Sequence, residues 1–235
     1  MLHARTLPRG EAPEDVLEWS YRHYGHIWGD IVSLLIVWRD ERPQSPLLET
    51  ADPAEIAAAL HDAGCGFERR ELSHGLSPHA AEDEVLAVYR DLVAAEVAAR
   101  GFRKVDVAGI VLSDDPGYPA QAVKVRATFI NEHTHGDDDE VRFIIRGAGA
   151  FYLHIAGHVH AILAEAGDLT RVPQGTTHWF DAGSQPDFTA IRFFHDPQGW
   201  VGVPTGSDIN ERFPDYDWLR ARYDSRPATA GSNGA

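Results

Sequence analysis

The sequence predicts a mainly β protein, an antiparallel barrel with a helical layer on its N-terminal side. From residue 102 onward, short runs rich in β-branched and aromatic residues follow one another, separated by Gly, Pro and Asp. Many short strands at close spacing are typical of a sandwich or barrel. Before residue 102, two longer segments have the periodicity and end signals of helices. Hydrophobic residues make up 43% of the 235-residue chain, enough for one substantial core.

The N-terminal part divides into an extension and a packed layer. Residues 1–31 are polar with interspersed aromatic side chains, and we interpret them as an extension of unknown role. The apolar run VSLLIVW, which begins at Val32, predicts a buried strand. Helices are predicted over residues 52–64, from an Asp-Pro start to a closing glycine, and over residues 78–101. The second helix would bury an apolar stripe formed by Val85, Tyr89, Val93 and Val97.

The barrel itself is predicted over residues 102–220, after the strand and helical layer of residues 32–101. Residues 221–235 are mostly small and polar, and we predict a disordered tail there. The expected strands of the barrel lie in the runs KVDVAGIVL, VKVRATFI, VRFIIR, AFYLHI, VHAIL, DLTRVP, THWF and FTAIRFF.

Charge and composition disfavour several classes of partner. The formal charge is −15, from 21 basic and 36 acidic residues, so we expect no binding to nucleic acid or to an anionic membrane. No apolar run approaches the roughly 20 residues of a membrane helix. The start of the chain has no apolar run typical of a secretory signal. Cys65 is the only cysteine, so no internal disulfide can form, and we expect a cytoplasmic protein, monomeric or a small homo-oligomer.

Two histidines followed by a run of acids predict a metal site. His133 and His135 are two residues apart, and in a strand such side chains face the same side. A carboxylate shortly after them would close one face of an ion. A distant histidine would then give four ligands and leave coordination positions open. The simpler alternative is a pair of histidines exposed on a strand.

The strand period selects the acid within residues 137–140. Glu140 shares its predicted face with Arg142, which gives a polar pair directed at the site. Asp139 would instead share a face with Val141, which belongs in an apolar layer. Glu140 is therefore the predicted ligand and Asp139 the fallback. The other aspartates of the run are predicted to form a solvated turn.

Two stretches of the chain resemble the two motifs of the cupins. The first runs from His133 through Glu140 to Gly147, and the second is GDLTRVPQGTTH over residues 167–178. The resemblance implies a cupin jelly-roll barrel that binds one divalent metal ion. The implied ligands are His133, His135, Glu140 and His178.

A closer resemblance is carried by EHTHGDDDEVRFIIRGAGAFYLHI, VPQGTTHWFDAG and FTAIRFFHDPQGWVG. These segments resemble the acireductone dioxygenases of methionine salvage, and the likeness covers most of the chain. It implies Fe2+ or Ni2+ as cofactor, with O2 and the enediol 1,2-dihydroxy-3-keto-5-(methylthio)pentene as substrates. The implied products are a 2-keto acid and formate with iron, and methylthiopropionate, formate and carbon monoxide with nickel. The family usually places three residues between the second histidine and the glutamate, whereas this chain has four.

The same resemblance implies roles for residues around the ion. Arg142 matches the arginine that holds the anionic substrate, and is thus the expected catalytic and substrate-binding residue. Phe129, Phe180 and Trp200 match aromatic residues that line the pocket. The alternatives are an ordinary ion pair for Arg142, core packing for the phenylalanines and a packing anchor for Trp200.

Other functions stay open at this point. A metal-dependent cupin isomerase or epimerase would polarise a carbonyl and move a proton, but no cluster for a sugar phosphate is evident. A dioxygenase that acts on a different enediol would use the same ligands. A cupin that binds without catalysis is disfavoured by the four intact ligands.

Overall fold

The structure of the protein is a computed structural model, and it describes residues 33–73, 75–135, 138–199 and 202–226. Every strand pairing in these ranges is antiparallel, so the predicted fold class is confirmed. The strands are β1 (Leu34–Arg39), β2 (Pro46–Thr50), β3 (Gly66–Arg69), β4 (Lys104–Ile110), β5 (His133–Thr134), β6 (Glu140–Ile155), β7 (His158–Glu165), β8 (Asp168–Val172), β9 (Thr177–Asp181), β10 (Phe188–Phe194) and β11 (Val203–Pro204). The helices are α1 (Pro53–Asp62), α2 (Glu82–Val88), α3 (Arg90–Arg100), α4 (Tyr118–Phe129), a 3-10 turn (Ile209–Arg212) and α5 (Tyr216–Asp224).

The long strand β6 belongs to both layers of the barrel. Its first part pairs with β8 and β10, and its second part pairs with β7 and β9. The strand changes layer near Gly147, which has a φ of +69°. A Cβ at this position would lie 1.8 Å from the carbonyl oxygen of Asp187, so only glycine fits. The predicted runs VRFIIR and AFYLHI are therefore one continuous strand.

The remaining strands extend the two layers outward from β6. One layer has the order β11, β5, β9, β6, β7, β1 and β2. In the other, β10 pairs with β4 and β8 pairs with β3. The short strands β2 and β3 lie where the sequence predicts only helices and the connections between them.

The space between the layers holds the largest apolar cluster. Leu35, Phe151 and Ile162 of one layer meet Ile144 and Phe188 of the other. Helices α2 and α3 cover the outer face of the layer that contains the first part of β6. The C-terminal segment, through Ile209, Phe213 and Leu219, covers the outer face of the layer that contains the second part of β6. Both sheets are thus packed on two sides, which gives the side chains between them fixed positions.

The predicted ends of the helices are mostly confirmed. Asp52 caps α1 as expected, because its side chain accepts two hydrogen bonds from amides of the first turn. Gly64 follows the end of α1 with a φ of +82°, and Gly101 ends α3 in the left-handed conformation.

The second predicted helix is divided in the structure. It begins at Glu82 rather than near residue 78, and it breaks at Tyr89 into α2 and α3. The ring of Tyr89 packs edge-on against Phe143 at 5.4 Å, and its hydroxyl accepts a hydrogen bond from the amide of Ser73. These tertiary contacts hold Tyr89 where the helix direction changes. The predicted stripe still faces one apolar cluster.

Residues 123–130 were predicted as a strand, and this prediction is wrong. They belong almost entirely to α4, which has a proline in its first turn. Helical spacing places Ala122 and Phe129 against the barrel and leaves Val123 70% exposed. The hydroxyl of Tyr118 donates to the carbonyl of Pro186 and fixes the start of the helix.

The predicted terminal segments lie mostly outside the described residues, namely 1–31 of the extension and 227–235 of the tail. Helix α5 continues to Asp224 and so passes the predicted boundary at residue 220. Beyond that boundary Arg222 pairs with Glu49 of β2, and at the boundary Arg220 pairs with the buried Glu165 of β7. Within the described ranges, no helix is long and apolar enough to span a membrane.

Candidate metal centre and adjoining pocket

The three histidines predicted as ligands lie together between the layers. His133 on β5 is directly opposite His178 on β9, and His135 follows just after β5. One ring nitrogen from each lies within 4.8 Å of the others, and all three side chains are buried. The centroids of the three rings are 4.6–5.2 Å apart.

Glu140 is the acid that joins this cluster. Its Oε2 lies 2.7 Å from His178 Nε2 and 3.8 Å from His135 Nδ1. Among the described residues, neither Glu140 Oε2 nor His178 Nε2 has a partner with hydrogen-bond geometry. Two buried polar atoms this close, without hydrogen-bond geometry between them, fit a site for a cation. Asp139, the fallback, instead accepts a hydrogen bond from the amide of Gln174.

The backbone fixes the orientation of two of the rings. The Nδ1 atom of His133 lies 2.8 Å from the carbonyl oxygen of Asn131, and that of His178 lies 2.8 Å from the carbonyl of Thr176. A proton on each Nδ1 leaves Nε2 as the acceptor, which is the tautomer that binds a metal ion.

The electrostatics of the cluster also suit a divalent cation. Burial lowers the pKa of His135 to about 3 and holds the pKa of His133 below its usual value, so both rings are neutral. Burial opposes ionisation of Glu140, but the charge of Arg142 and the contact with His178 hold its pKa below the ordinary value. Burial lowers the pKa of His178, but the nearby carboxylate of Glu140 raises it by more. The pKa of His178 therefore lies above its usual value. One ionised carboxylate among imidazoles is a common donor set for divalent metals.

Arg142 lies beside the cluster and is itself buried. Its Nη2 is 2.6 Å from Glu140 Oε1, and its Nη1 donates to the carbonyl oxygen of Val141. Burial lowers the pKa of Arg142 to about 10, a value that keeps the guanidinium charged at neutral pH. The predicted strand period is confirmed here, since Val141 and Phe143 face the opposite, apolar layer.

A cavity of about 50 Å³ adjoins Arg142 and Glu140. Phe129 and Phe180 line it, as the resemblance implies, whereas Trp200 lies outside the described residues. The other lining residues, which the sequence reasoning missed, are Ala108, Ile144, Phe151, Phe188, Ala190 and Arg192. The alternation of Phe188, Ala190 and Arg192 along β10 was a usable signal, because such residues share one face of a strand.

The aspartate at position 138 has a structural role that the sequence reasoning also missed. Asp138 is 3% exposed, so the prediction of a solvated turn is wrong for this residue. Its Oδ2 accepts from the amides of His195 and Asp196 at 2.8 and 3.1 Å, and its Oδ1 lies 2.7 Å from His195 Nδ1. These bonds fasten the loop between His135 and Glu140 to the end of β10.

Comparison with known proteins shows the family of this chain. The profile of the ARD/ARD' family matches residues 35–202. The chain belongs to the ARD/ARD' family. An acireductone dioxygenase of Saccharopolyspora erythraea is 50% identical over 190 residues, which cover 81% of this chain and 99% of the relative. One of Stenotrophomonas maltophilia, strain K279a, is 48% identical over 185 residues, or 79% of this chain and 97% of the relative.

A solved structure of an acireductone dioxygenase is also similar in fold to this ARD/ARD' family member. The acireductone dioxygenase of Bacillus anthracis, with a cadmium ion in its active centre, superposes with a TM-score of 0.59. It is 25% identical, and the match covers 74% of this chain and 99% of that one.

Proposed function

We propose that this chain is an acireductone dioxygenase, which cleaves 1,2-dihydroxy-3-keto-5-(methylthio)pentene with O2 in methionine salvage. The observation that carries the proposal is the convergence of His133, His135, His178 and Glu140 beside a buried arginine and an apolar cavity. The identity of about half of the residues to proteins named acireductone dioxygenase supports it. We place the enzyme in the cytoplasm.

The four side chains at the cluster would hold one divalent ion, Fe2+ or Ni2+. The cadmium ion of the Bacillus anthracis relative supports a metal at this place in the fold. When bound, the ion would supply Lewis acidity and a template for the enediol. With iron the proposed products are the 2-keto acid and formate, and with nickel they are methylthiopropionate, formate and carbon monoxide.

Arg142 is the proposed catalytic and substrate-binding residue. Its guanidinium contacts the ligand Glu140, so a substrate anion held by the same planar group would lie directly beside the ion. The low exposure of Arg142 removes competing water and strengthens this attraction. Arg142 would in this way orient the enediol and hold its negative charge during reaction with O2.

The apolar walls are proposed to receive the methylthio tail. Phe129 and Phe180 would pack against it and exclude water, and Trp200 has the same proposed role by resemblance. The phenylalanine-rich lining disfavours the polar sugar phosphates of cupin isomerases.

Metal-loaded protein and a synthetic acireductone test this proposal. Metal-free protein is loaded separately with Fe2+ and Ni2+, and O2 uptake, formate and carbon monoxide are measured. Both forms should consume O2, and only the nickel form should release carbon monoxide. His178→Ala should abolish uptake, whereas His61→Ala, at a side chain that is 89% exposed, should not. Uptake no faster than without protein would refute the function.

A further inference from the structure

We infer that Gly149 determines how long an apolar tail the substrate pocket accepts, by giving the ring of Phe180 room to lie against β6. The inference rests on the proposed function, because it concerns the tail of the acireductone. It assigns a specificity-determining role to a residue that is neither a predicted metal ligand nor one of the residues that line the cavity.

Space, and not backbone conformation, requires glycine at position 149. A Cβ built there would lie 2.2 Å from Cζ and 2.4 Å from Cε2 of Phe180. Gly149 does not have a positive φ, in contrast to Gly147, where a Cβ would meet backbone. The three atoms nearest to the methyl group of an alanine at position 149 would all belong to the ring of Phe180, a side chain that can move.

The surroundings of Phe180 determine the direction of that movement. Normal carbon contacts are about 3.5–4.0 Å, so the ring would have to move by more than about 1 Å away from β6. Phe151 and Phe188 surround the ring with centroids at 4.8 and 5.3 Å, and Phe129 lies at 6.4 Å. Phe180 lines the cavity of about 50 Å³, which is the unfilled volume beside the ring. A displaced ring would take up part of that volume, which is the proposed space for the tail.

The consequence is a change in substrate preference. For Gly149→Ala we expect kcat/KM for the methylthioethyl acireductone to fall by about ten- to two-hundredfold, the range that one methylene brings in an apolar pocket. We expect an acireductone with a methyl group in place of that tail to stop short of Phe180, so its kcat/KM should stay close to the wild-type value.

A compensating substitution at Phe180 distinguishes this change of specificity from a general loss of structure or activity. Gly149→Ala combined with Phe180→Leu should recover much of the activity on the long-tailed substrate, because the smaller side chain returns the lost space. Phe180→Leu alone should shift the preference toward longer tails, and it tests the inference even where Gly149→Ala folds poorly. Gly66→Ala in β3 is the control for a glycine replaced in a strand, since its Cβ would meet Arg171 at 3.1 Å and not the pocket.

The experiment measures kcat/KM of each metal-loaded variant with both acireductones, together with its melting temperature. Selective loss of the long-tailed substrate and recovery in the double variant support the inference. An unchanged ratio of the two substrates, or equal losses without recovery, would overturn it while leaving the function standing. Wild-type protein inactive on both substrates would overturn the function and the inference together. A crystal structure of Gly149→Ala with the Phe180 ring unmoved would overturn the inference alone.

Discussion

We expect Asp181→Ala to destabilise the protein strongly, because Asp181 is a buried carboxylate that joins three elements. It lies at the end of β9 and is 0% exposed. Its oxygens accept from Arg126 of α4 at 2.9 and 3.1 Å, from the amide of Gly183 at 2.9 Å and from that of Tyr216 at 3.0 Å. Alanine removes all of these acceptors at once.

The size of the effect depends on the groups that lose their partner. Removing one member of a buried ion pair costs about 3–5 kcal/mol. The side chain of Arg126 is 32% exposed and lies 3.4 Å from Asp215, so it can turn toward water and that carboxylate. Because Arg126 keeps these other partners, we expect the lower end of that range, a loss of about 3 kcal/mol in the free energy of unfolding. The melting temperature should then fall by about 6–12 °C, at 2–4 °C per kcal/mol.

Urea denaturation and thermal melts of the metal-free protein measure this loss, since a bound ion would add its own stabilisation. Asp91→Ala is the matched control, because its side chain is 98% exposed beside Arg90 and should contribute little. In a double-mutant cycle, the losses from Asp181→Ala and Arg126→Met should not add. A loss below about 1 kcal/mol for Asp181→Ala, as for an exposed pair, would refute the reasoning.

The metal centre and the single cysteine give further tests. Chelation should lower the melting temperature of the loaded protein, since an ion at a hundred times its Kd stabilises by about 2.7 kcal/mol. His178→Ala should lose most of that shift, and a full shift would contradict its role as ligand. Asp138→Ala should weaken Ni2+ binding roughly ten- to hundredfold by calorimetry, and Asp138→Asn less; unchanged affinity would contradict the positioning role of the loop. Burial raises the pKa of Cys65 to about 11, so the native thiol should resist a thiol reagent near pH 8 and react in urea. Rapid labelling of the native protein would contradict that burial.

The proposed metal ligands could be named from the sequence because coordination restricts both residue type and spacing. His133, His135 and Glu140 lie on one short segment, where the strand period alone indicates a common face. His178 required the resemblance to the second cupin motif, since its position opposite His133 is a long-range pairing that no local pattern encodes. The aromatic pocket was only partly predictable for the same reason. Phe151 is one of many side chains that point into the barrel. Only the pairing of the strands determines which of these side chains line the cavity.

The errors in the fold have a physical cause that differs from one segment to the next. Residues 123–126 alternate valine with charged side chains, as a half-buried strand does, but helical spacing instead packs Ala122 and Phe129 against the barrel. The break at Tyr89 results from contacts with Phe143, which lies far away in the sequence. Tertiary packing thus outweighs local pattern where the local pattern permits two structures.

The longer spacing between His135 and Glu140 leaves the ligands in place because strands and fixed contacts position both ends of the loop. The carbonyl of His135 accepts from the amide of Gly175 at 2.8 Å, and Gly175 belongs to the turn that leads to β9. Glu140 begins β6 in register with Val172 of β8. Between them, the hydrogen bonds of Asp138 hold the loop to the end of β10. The contacts of His135, Asp138 and Glu140 thus position the proposed ligands, so their geometry does not depend on the number of residues between His135 and Glu140.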